Sequence, residues 1–270
     1  MSERFLAARQ RLKPLAARLG LANSAPLWQP IALAAYRRKR ADDAQYREWL
    51  ATRGGAWIRE HWGHYAVDDE FTREHLSSQL FELTEQLRRR LGDVGDATVL
   101  DAGASDGMFL SLLGVKNGIG VNFLTACAEK IHRDGHRAVA ADIERLPFGD
   151  KSVDYVICCE TLEHVPNPIH TLNELARVCR RTILVSIPWL ERTRLNARPA
   201  GWPHEESHIF EFSPADFRKI ATHANVRVAF GGVVPVFPTP KNPMTRWWMR
   251  LWMFDWYFPA LQYYELEPLN

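Results

Sequence analysis

An α/β fold built on a mainly parallel sheet, with an N-terminal helical cap and a C-terminal Trp-rich helical extension, is predicted by three features of this 270-residue chain. The stretch VLDAGASDGMFL, Val99 to Leu110, reads as a strand, a glycine-containing turn and a helix, the usual opening of a nucleotide-binding α/β unit. From about residue 96 onward, strand-like runs alternate with helical periods, a pattern that implies parallel strands with helical crossovers. No strand is legible before that point, and four of the ten tryptophans (Trp247, Trp248, Trp252, Trp256) crowd towards the C-terminus. The expected divisions are therefore a cap over 1–94, an α/β domain over 95–240 and an extension over 241–270.

In the cap, residues 3–20 carry Phe5, Leu6, Leu12, Leu15, Ala16 and Leu19 near a helical period, with arginines between them. Pro14 divides or kinks this helix and Gly20 is a plausible stop. Residues 31–62 and 69–92 read as further helices. Charge is uneven: residues 1–40 hold nine Lys and Arg side chains against Glu3 alone. Two readings stand for this basic amphipathic pattern, a cap packed on the main domain or a helix that meets anionic lipid headgroups.

The α/β region resolves into strands at 97–101, 118–122, 137–141, 153–159 and 181–187, with helices at 106–113, 124–134 and 168–178. Ser213 before Pro214 starts another helix over 214–223, with Ser as N-cap and Pro in the first helical position. Strands near 225–231 and 233–237 leave no room for a helix between them, so they are expected to form an antiparallel hairpin around Gly231 and Gly232.

Bulk properties narrow the function. A hydrophobic fraction of 46% and a charged fraction of 24% are those of an ordinary folded domain, and a net charge of +2 argues against a generally polyanionic partner. Cys127, Cys158, Cys159 and Cys179 lack the spacing of a zinc knuckle or an iron–sulfur cluster, and no metal is expected. Cys158 and Cys159 are adjacent in an apolar run and should point to opposite faces of one strand as small core residues. With no signal peptide and no run of about 18 apolar residues, the chain reads as cytoplasmic.

Three loops at strand ends carry the chemistry: Asp101 to Gly107, the stretch after Asn122, and AADIERLPFGDKSVDYVICCETLEHVPNP over 140–168. The ordered set DAGASDG followed by ADIERLPFGDKSVDYVICCETLEHV resembles a class I S-adenosylmethionine-dependent methyltransferase of the small-molecule type, over about residues 95–237. The resemblance implies a Rossmann-like sheet of seven strands with the last antiparallel. It also implies that Asp101, Gly103, Ser105 and Gly107 lie beside the methionine and ribose of S-adenosyl-L-methionine. Asp142 would accept a hydrogen bond from the adenine amino group, Ile143 would pack on the adenine face, and Glu160 would border the methyl-donor pocket. Glu163 and His164 would mainly hold the loop after the fourth strand.

Two positions depart from the family pattern. Ser105 replaces the middle glycine, a change that a negative φ would accommodate. Asn122 replaces the acid that binds both ribose hydroxyls, and a neutral amide forgoes the charge-assisted pair. A dinucleotide dehydrogenase is disfavoured because GASDG does not give the GxGxxG spacing.

Methyl transfer from a sulfonium is an in-line displacement that needs alignment and exclusion of water, and an oxygen nucleophile often needs a base. His208 is the first candidate base and His204 the second, both on the segment 186–213 that follows the fifth strand; the alternative for His208 is a cap or hydrogen bond within that loop. Trp189 and Trp202 either wall a pocket or fill core. CETL stands where amino-methylating nucleic-acid enzymes of this fold carry NPPY or DPPY, and no nucleic-acid partner is expected.

The apolar residues of 243–264 nearly encircle a helix, which suits burial in the cap or a homodimer interface, or peripheral contact with the inner face of a membrane. The expected activity is O-methylation of a small-molecule, glycan or lipid-linked acceptor. The alternatives are a non-catalytic methyltransferase-like protein that binds a partner, and a protein methyltransferase.

Overall fold

The computed structural model describes residues 43–51, 70–190, 193–195, 208–235 and 259–269. The chain divides into two compact units, Met1–Gln79 with Pro235–Pro259, and Leu80–Val234 with Ala260–Asn270. In the first, helix α1 (Ala44–Ala51) buries Tyr46 and Trp49, whose rings stack with centroids 6.1 Å apart. Asp43 begins that helix by accepting the Tyr46 N–H at 3.0 Å. The expected helix over 3–20 lies outside the described residues, as do His204 and Trp202.

Helix α2 (Glu70–Leu91) runs up to the α/β region, where β1 (Thr98–Ala102), α3 (Met108–Leu112), β2 (Asn117–Asn122), α4 (Thr125–Arg133) and β3 (Arg137–Ala140) follow in order. Then come β4 (Val153–Cys159), α5 (Pro168–Val178), β5 (Cys179–Pro188), the short pair β6 (Arg194–Leu195) and β7 (Phe210–Glu211), α6 (Pro214–Ala221), β8 (Val226–Pro235) and β9 (Pro259–Pro268). The main sheet has seven strands in the order β3-β2-β1-β4-β5-β9-β8. The pairs β1–β2, β1–β4, β2–β3 and β4–β5 are parallel, and β5–β9 is antiparallel.

Alternation along the strands divides the core between the two faces of the sheet. Leu100, Val156, Cys158, Ile183 and Val185 pack with α5 and α6 through Leu172, Leu175 and Phe217. Val99, Ile157, Cys159 and Leu184 pack on the other side with Leu83, Leu87 and Leu91, which are spaced four apart along α2. The adjacent cysteines thus face opposite ways, as their alternation predicts. Burial pushes both thiols up, so they behave as small apolar groups. Helix α6 starts as expected, with Ser213 Oγ accepting the Asp216 N–H at 3.2 Å.

Two expectations are corrected here. Residues 226–235 form one continuous strand rather than a hairpin, and the antiparallel partner inside the sheet is β9, from the segment where the apolar pattern predicted helix. Gly231 and Gly232 do not turn the chain. A Cβ on Gly231 would come within 2.8 Å of the Tyr264 ring, and one on Gly232 within 2.6 Å of the Tyr263 ring. The glycines clear room for two buried tyrosines on successive positions of the neighbouring strand. The rest of the segment expected to be helical, before residue 259, lies outside the described residues.

Strand β9 also ties the end of β5 to the segment between β7 and α6. Gln262 is fully buried. Its amide donates to the Pro188 carbonyl at 3.0 Å and the Phe212 carbonyl at 2.6 Å, while its oxygen accepts the Tyr264 hydroxyl at 2.5 Å. Among the described residues, no helix is long and apolar enough to cross a membrane.

Candidate functional site

The turn after β1 is held by the strand beside it. Gly103 and Ala104 both donate their N–H to the Val121 carbonyl at 2.9 Å, which places the turn next to Asn122. Gly103 has φ 84° and Gly107 φ 80°, the left-handed region that glycine enters without a Cβ penalty. Ser105 has φ 48°. The negative φ that would have accommodated this serine is therefore not adopted, and the turn keeps the geometry of the glycine that the family pattern has there.

Asp101, at the end of β1, is 1% exposed, and its Oδ2 has no hydrogen-bond partner among the described residues. Burial first, and the Asp106 charge second, push its pKa up to about 7. A buried carboxyl oxygen without a donor beside a glycine turn marks a place where a ligand's donor or positive charge would be stabilised.

The second and third loops interlock in the same way. The Asn122 carbonyl accepts the Ala141 N–H at 3.0 Å, next to Asp142. Asn122 Oδ1 accepts the Leu124 N–H, and Asp142 Oδ1 accepts the Glu144 N–H, each at 2.9 Å. One oxygen of each side chain therefore shapes its own loop. Asp142 is exposed and Ile143 is a member of the core.

The LPF hook behind them is gripped by Arg177 from α5. Its guanidinium donates to the carbonyls of Phe148 at 2.8 Å and Leu146 at 3.1 Å, and to the carboxylates of Asp150 and Glu174 at 2.8 Å. Such a fork fixes a loop more tightly than a single ammonium can.

The loop after β4 closes the other side. Glu160 has φ 49°. Its N–H donates to the Ser186 carbonyl at 2.9 Å and its Oε1 accepts the Ser186 hydroxyl at 2.8 Å. Burial pushes its carboxyl up to about 7, with the Ser186 hydrogen bond opposing. Left-handed backbone at a non-glycine residue, combined with a raised acid, is characteristic of functional sites. Thr161 hydrogen-bonds the Cys159 carbonyl at 2.9 Å.

Glu163 carries two roles. Its carbonyl accepts the N–H groups of Ile209 at 2.7 Å and Phe210 at 3.1 Å, so its backbone holds the loop, as the resemblance implied. Its side chain does not: it is buried and both carboxyl oxygens lack hydrogen-bond partners among the described residues. Burial, followed by the nearby Glu160 charge, drives that carboxyl well above the usual range. His164 and His208 meet edge to face with ring centroids 4.9 Å apart. His208 Nδ1 lies 3.1 Å from Glu211 Oε1.

The structure thus gathers Asp101, Gly103, Ser105, Gly107, Asn122, Asp142 and Glu160 on linked loops at the C-terminal ends of parallel strands, where open α/β sheets bind ligands. It puts His208 against the loop after β4. The sequence singles out the adjacent Glu163 and His164, but not Thr161, Ser186 or Glu211. Ser186 and Glu211 become legible only when β5 and β7 are folded against β4.

This sheet order, glycine turn and loop set are those of the class I methyltransferase fold. A methyltransferase-domain family model matches residues 100–185. The 27-O-demethylrifamycin SV methyltransferase of Amycolatopsis mediterranei is 28% identical over 128 residues, covering 43% of this chain and 46% of that protein. An uncharacterized methyltransferase of Mycobacterium sp. strain JLS is 34% identical over 91 residues, covering 32% of this chain and 36% of that protein. The chain spans less than half the length of these curated relatives.

Among solved structures, the chain is similar to one described as a complex with the Haloferax volcanii Trm112 methyltransferase activator. The TM-score is 0.57 at 21% identity, covering 79% of this chain and 98% of that one. It is also similar to magnesium protoporphyrin IX methyltransferase of Synechocystis PCC 6803 with bound S-adenosylmethionine, with a TM-score of 0.53 at 16% identity over 82% of this chain and 94% of that one. Residues 100–185 thus match a methyltransferase-domain family model, and the chain shares the α/β fold of these solved methyltransferase structures.

Proposed function

We propose that the protein is an S-adenosyl-L-methionine-dependent methyltransferase that methylates an oxygen of a small-molecule, glycan or lipid-linked acceptor. The observation that carries this reading is Asp101, whose buried Oδ2 has no donor among the described residues, at the end of β1 beside the glycine turn. A cofactor bearing an ammonium, hydroxyls and a sulfonium fits that lack of a partner. Bound there, S-adenosylmethionine supplies an electrophilic methyl group. Gly103 and Gly107 let the backbone approach it, Asn122 meets the ribose, Asp142 the adenine amino group, and Ile143 lines the adenine side. Glu160 borders the methyl.

On the acceptor side, Glu211 orients the His208 ring and so presents the acceptor with an aligned imidazole. Its lone pair either takes the acceptor's proton or holds a cation that acidifies it; His204 is the second candidate. The oxygen class is supported by the relative named for 27-O-demethylrifamycin SV.

The test is calorimetric titration of the full chain with S-adenosylhomocysteine, followed by acceptor screening with methyl-labelled cofactor. Micromolar binding that weakens in Asp142→Ala is expected. A folded protein that binds none overturns the reading in favour of a non-catalytic binding protein.

A further inference from the structure

Three groups converge where the loop after β4 meets β7. Glu163 is buried and neither Oε1 nor Oε2 has a hydrogen-bond partner among the described residues. Nε2 of His164 lies 4.0 Å from Glu163 Oε1, and the His208 ring stands edge to face with that of His164. One ligand atom from each of the three lies within 4.8 Å of the other two. Ligand atoms about 2.0–2.2 Å from a shared ion sit roughly 3–3.5 Å from one another, so small side-chain rotations close the cluster on one ion.

A buried carboxyl with no donor or acceptor opposite it is costly, whichever protonation state it adopts. Among the described residues, no hydrogen bond to either oxygen offsets that cost. We propose that Glu163, His164 and His208 hold a divalent first-row transition-metal ion.

The donor set decides the class. Two imidazoles and one carboxylate suit Zn²⁺, Mn²⁺, Fe²⁺ or Co²⁺, whereas Ca²⁺ and Mg²⁺ take mostly oxygen ligands. Glu211 Oε1, 3.1 Å from His208 Nδ1, supplies the outer carboxylate that commonly orients a ligating histidine. The site also has an entry path: the Glu163 side chain is 1% exposed, while those of His164 and His208 are 32% and 33% exposed. Three protein ligands leave a coordination position for a small molecule.

The ion's role rests on the methyltransferase reading. Beside Glu160 it would draw in an acceptor hydroxyl and favour loss of its proton to solvent, with His208 acting as a ligand. Its presence, in contrast, depends only on the three side chains.

The experiment uses the full chain, stripped with chelator and titrated with Zn²⁺, Mn²⁺ and Co²⁺ by calorimetry. Visible absorption of the Co²⁺ form reports the ligand field, and the wild-type protein is titrated with S-adenosylhomocysteine in parallel. One ion per chain with micromolar affinity is expected, weakened at least about tenfold by Glu163→Gln and by about tenfold in Glu211→Gln. His208→Asn, with folding checked by circular dichroism, gives the same test should Glu163→Gln not fold. A wild-type protein that binds S-adenosylhomocysteine but no ion overturns the metal site and leaves the methyltransferase reading intact. Ion binding unaltered in Glu163→Gln and His208→Asn overturns it as well. Ion binding without S-adenosylhomocysteine binding supports the site and overturns the methyltransferase reading.

Discussion

A Cβ built on Gly103 would lie 2.3 Å from the Thr161 hydroxyl oxygen. The turn after β1 and the loop after β4 are therefore in contact through a position that tolerates no side chain, and the placing of one sets the other. Gly103→Ala should destabilise the fold by about 2–3 kcal/mol, from the clash together with the left-handed φ, and should abolish S-adenosylhomocysteine binding. Thr161→Ala in the Gly103→Ala background should restore only part of the stability, because the backbone strain persists. Urea unfolding with parallel calorimetry measures both, and full recovery by the double variant would show the clash to be the whole effect.

Ser105 carries a comparable strain without the clash. A non-glycine residue in the left-handed region costs on the order of 1 kcal/mol, offset in part by the extra unfolded-state entropy of glycine. Ser105→Gly should therefore raise stability by roughly 0.5 kcal/mol and leave cofactor affinity unchanged or improved. A lower melting temperature in this variant would mean that the serine hydroxyl contributes more than its backbone costs.

Asp101 predicts a pH dependence of stability. Burial pushes its folded pKa up to about 7, above the usual carboxyl value of 3.8, so the folded state holds the proton more tightly than the unfolded chain. The contribution is fully present below pH 3.8 and is lost as pH rises through about 7, up to a limit on the order of 4 kcal/mol. In chemical denaturation at pH 5, 6, 7 and 8, wild type should lose stability towards pH 8 relative to Asp101→Asn. Parallel profiles for the two proteins would refute the assignment.

Asn122→Asp restores the acid of the family pattern. The Leu124 N–H that Asn122 Oδ1 now accepts at 2.9 Å can stay bonded to the carboxylate, while the second oxygen gains charge-assisted bonds to ribose hydroxyls. S-adenosylhomocysteine should bind about tenfold more tightly, corresponding to roughly 1.4 kcal/mol. An unchanged affinity would place the ribose elsewhere.

Much of this site is legible as local chemistry. Gly103 and Gly107 announce a turn that needs left-handed backbone, Ser213–Pro214 announces a helix start, and the short apolar run through Cys158 and Cys159 announces a strand buried on both faces. Gly231–Gly232 misleads for an equally physical reason. Glycine pairs usually mark turns, and the need to clear the Tyr263 and Tyr264 rings exists only once β9 lies beside β8. The apolar run that ends in 259–268 misleads likewise, since a strand buried on both faces lacks the alternation that separates strand from helix.

By itself the sequence determined the parallel α/β order, the loops at the strand ends and their glycine turn, because these depend on backbone conformation and on apolar patterns within single elements. The tertiary structure alone decided where the last strand inserts, that Ser105 keeps a glycine-like φ, and that Glu163, His164 and His208 share one corner. Those outcomes depend on which side chains from distant segments compete for the same space and on which buried oxygens are left without a donor, and neither is a property of any one stretch of chain.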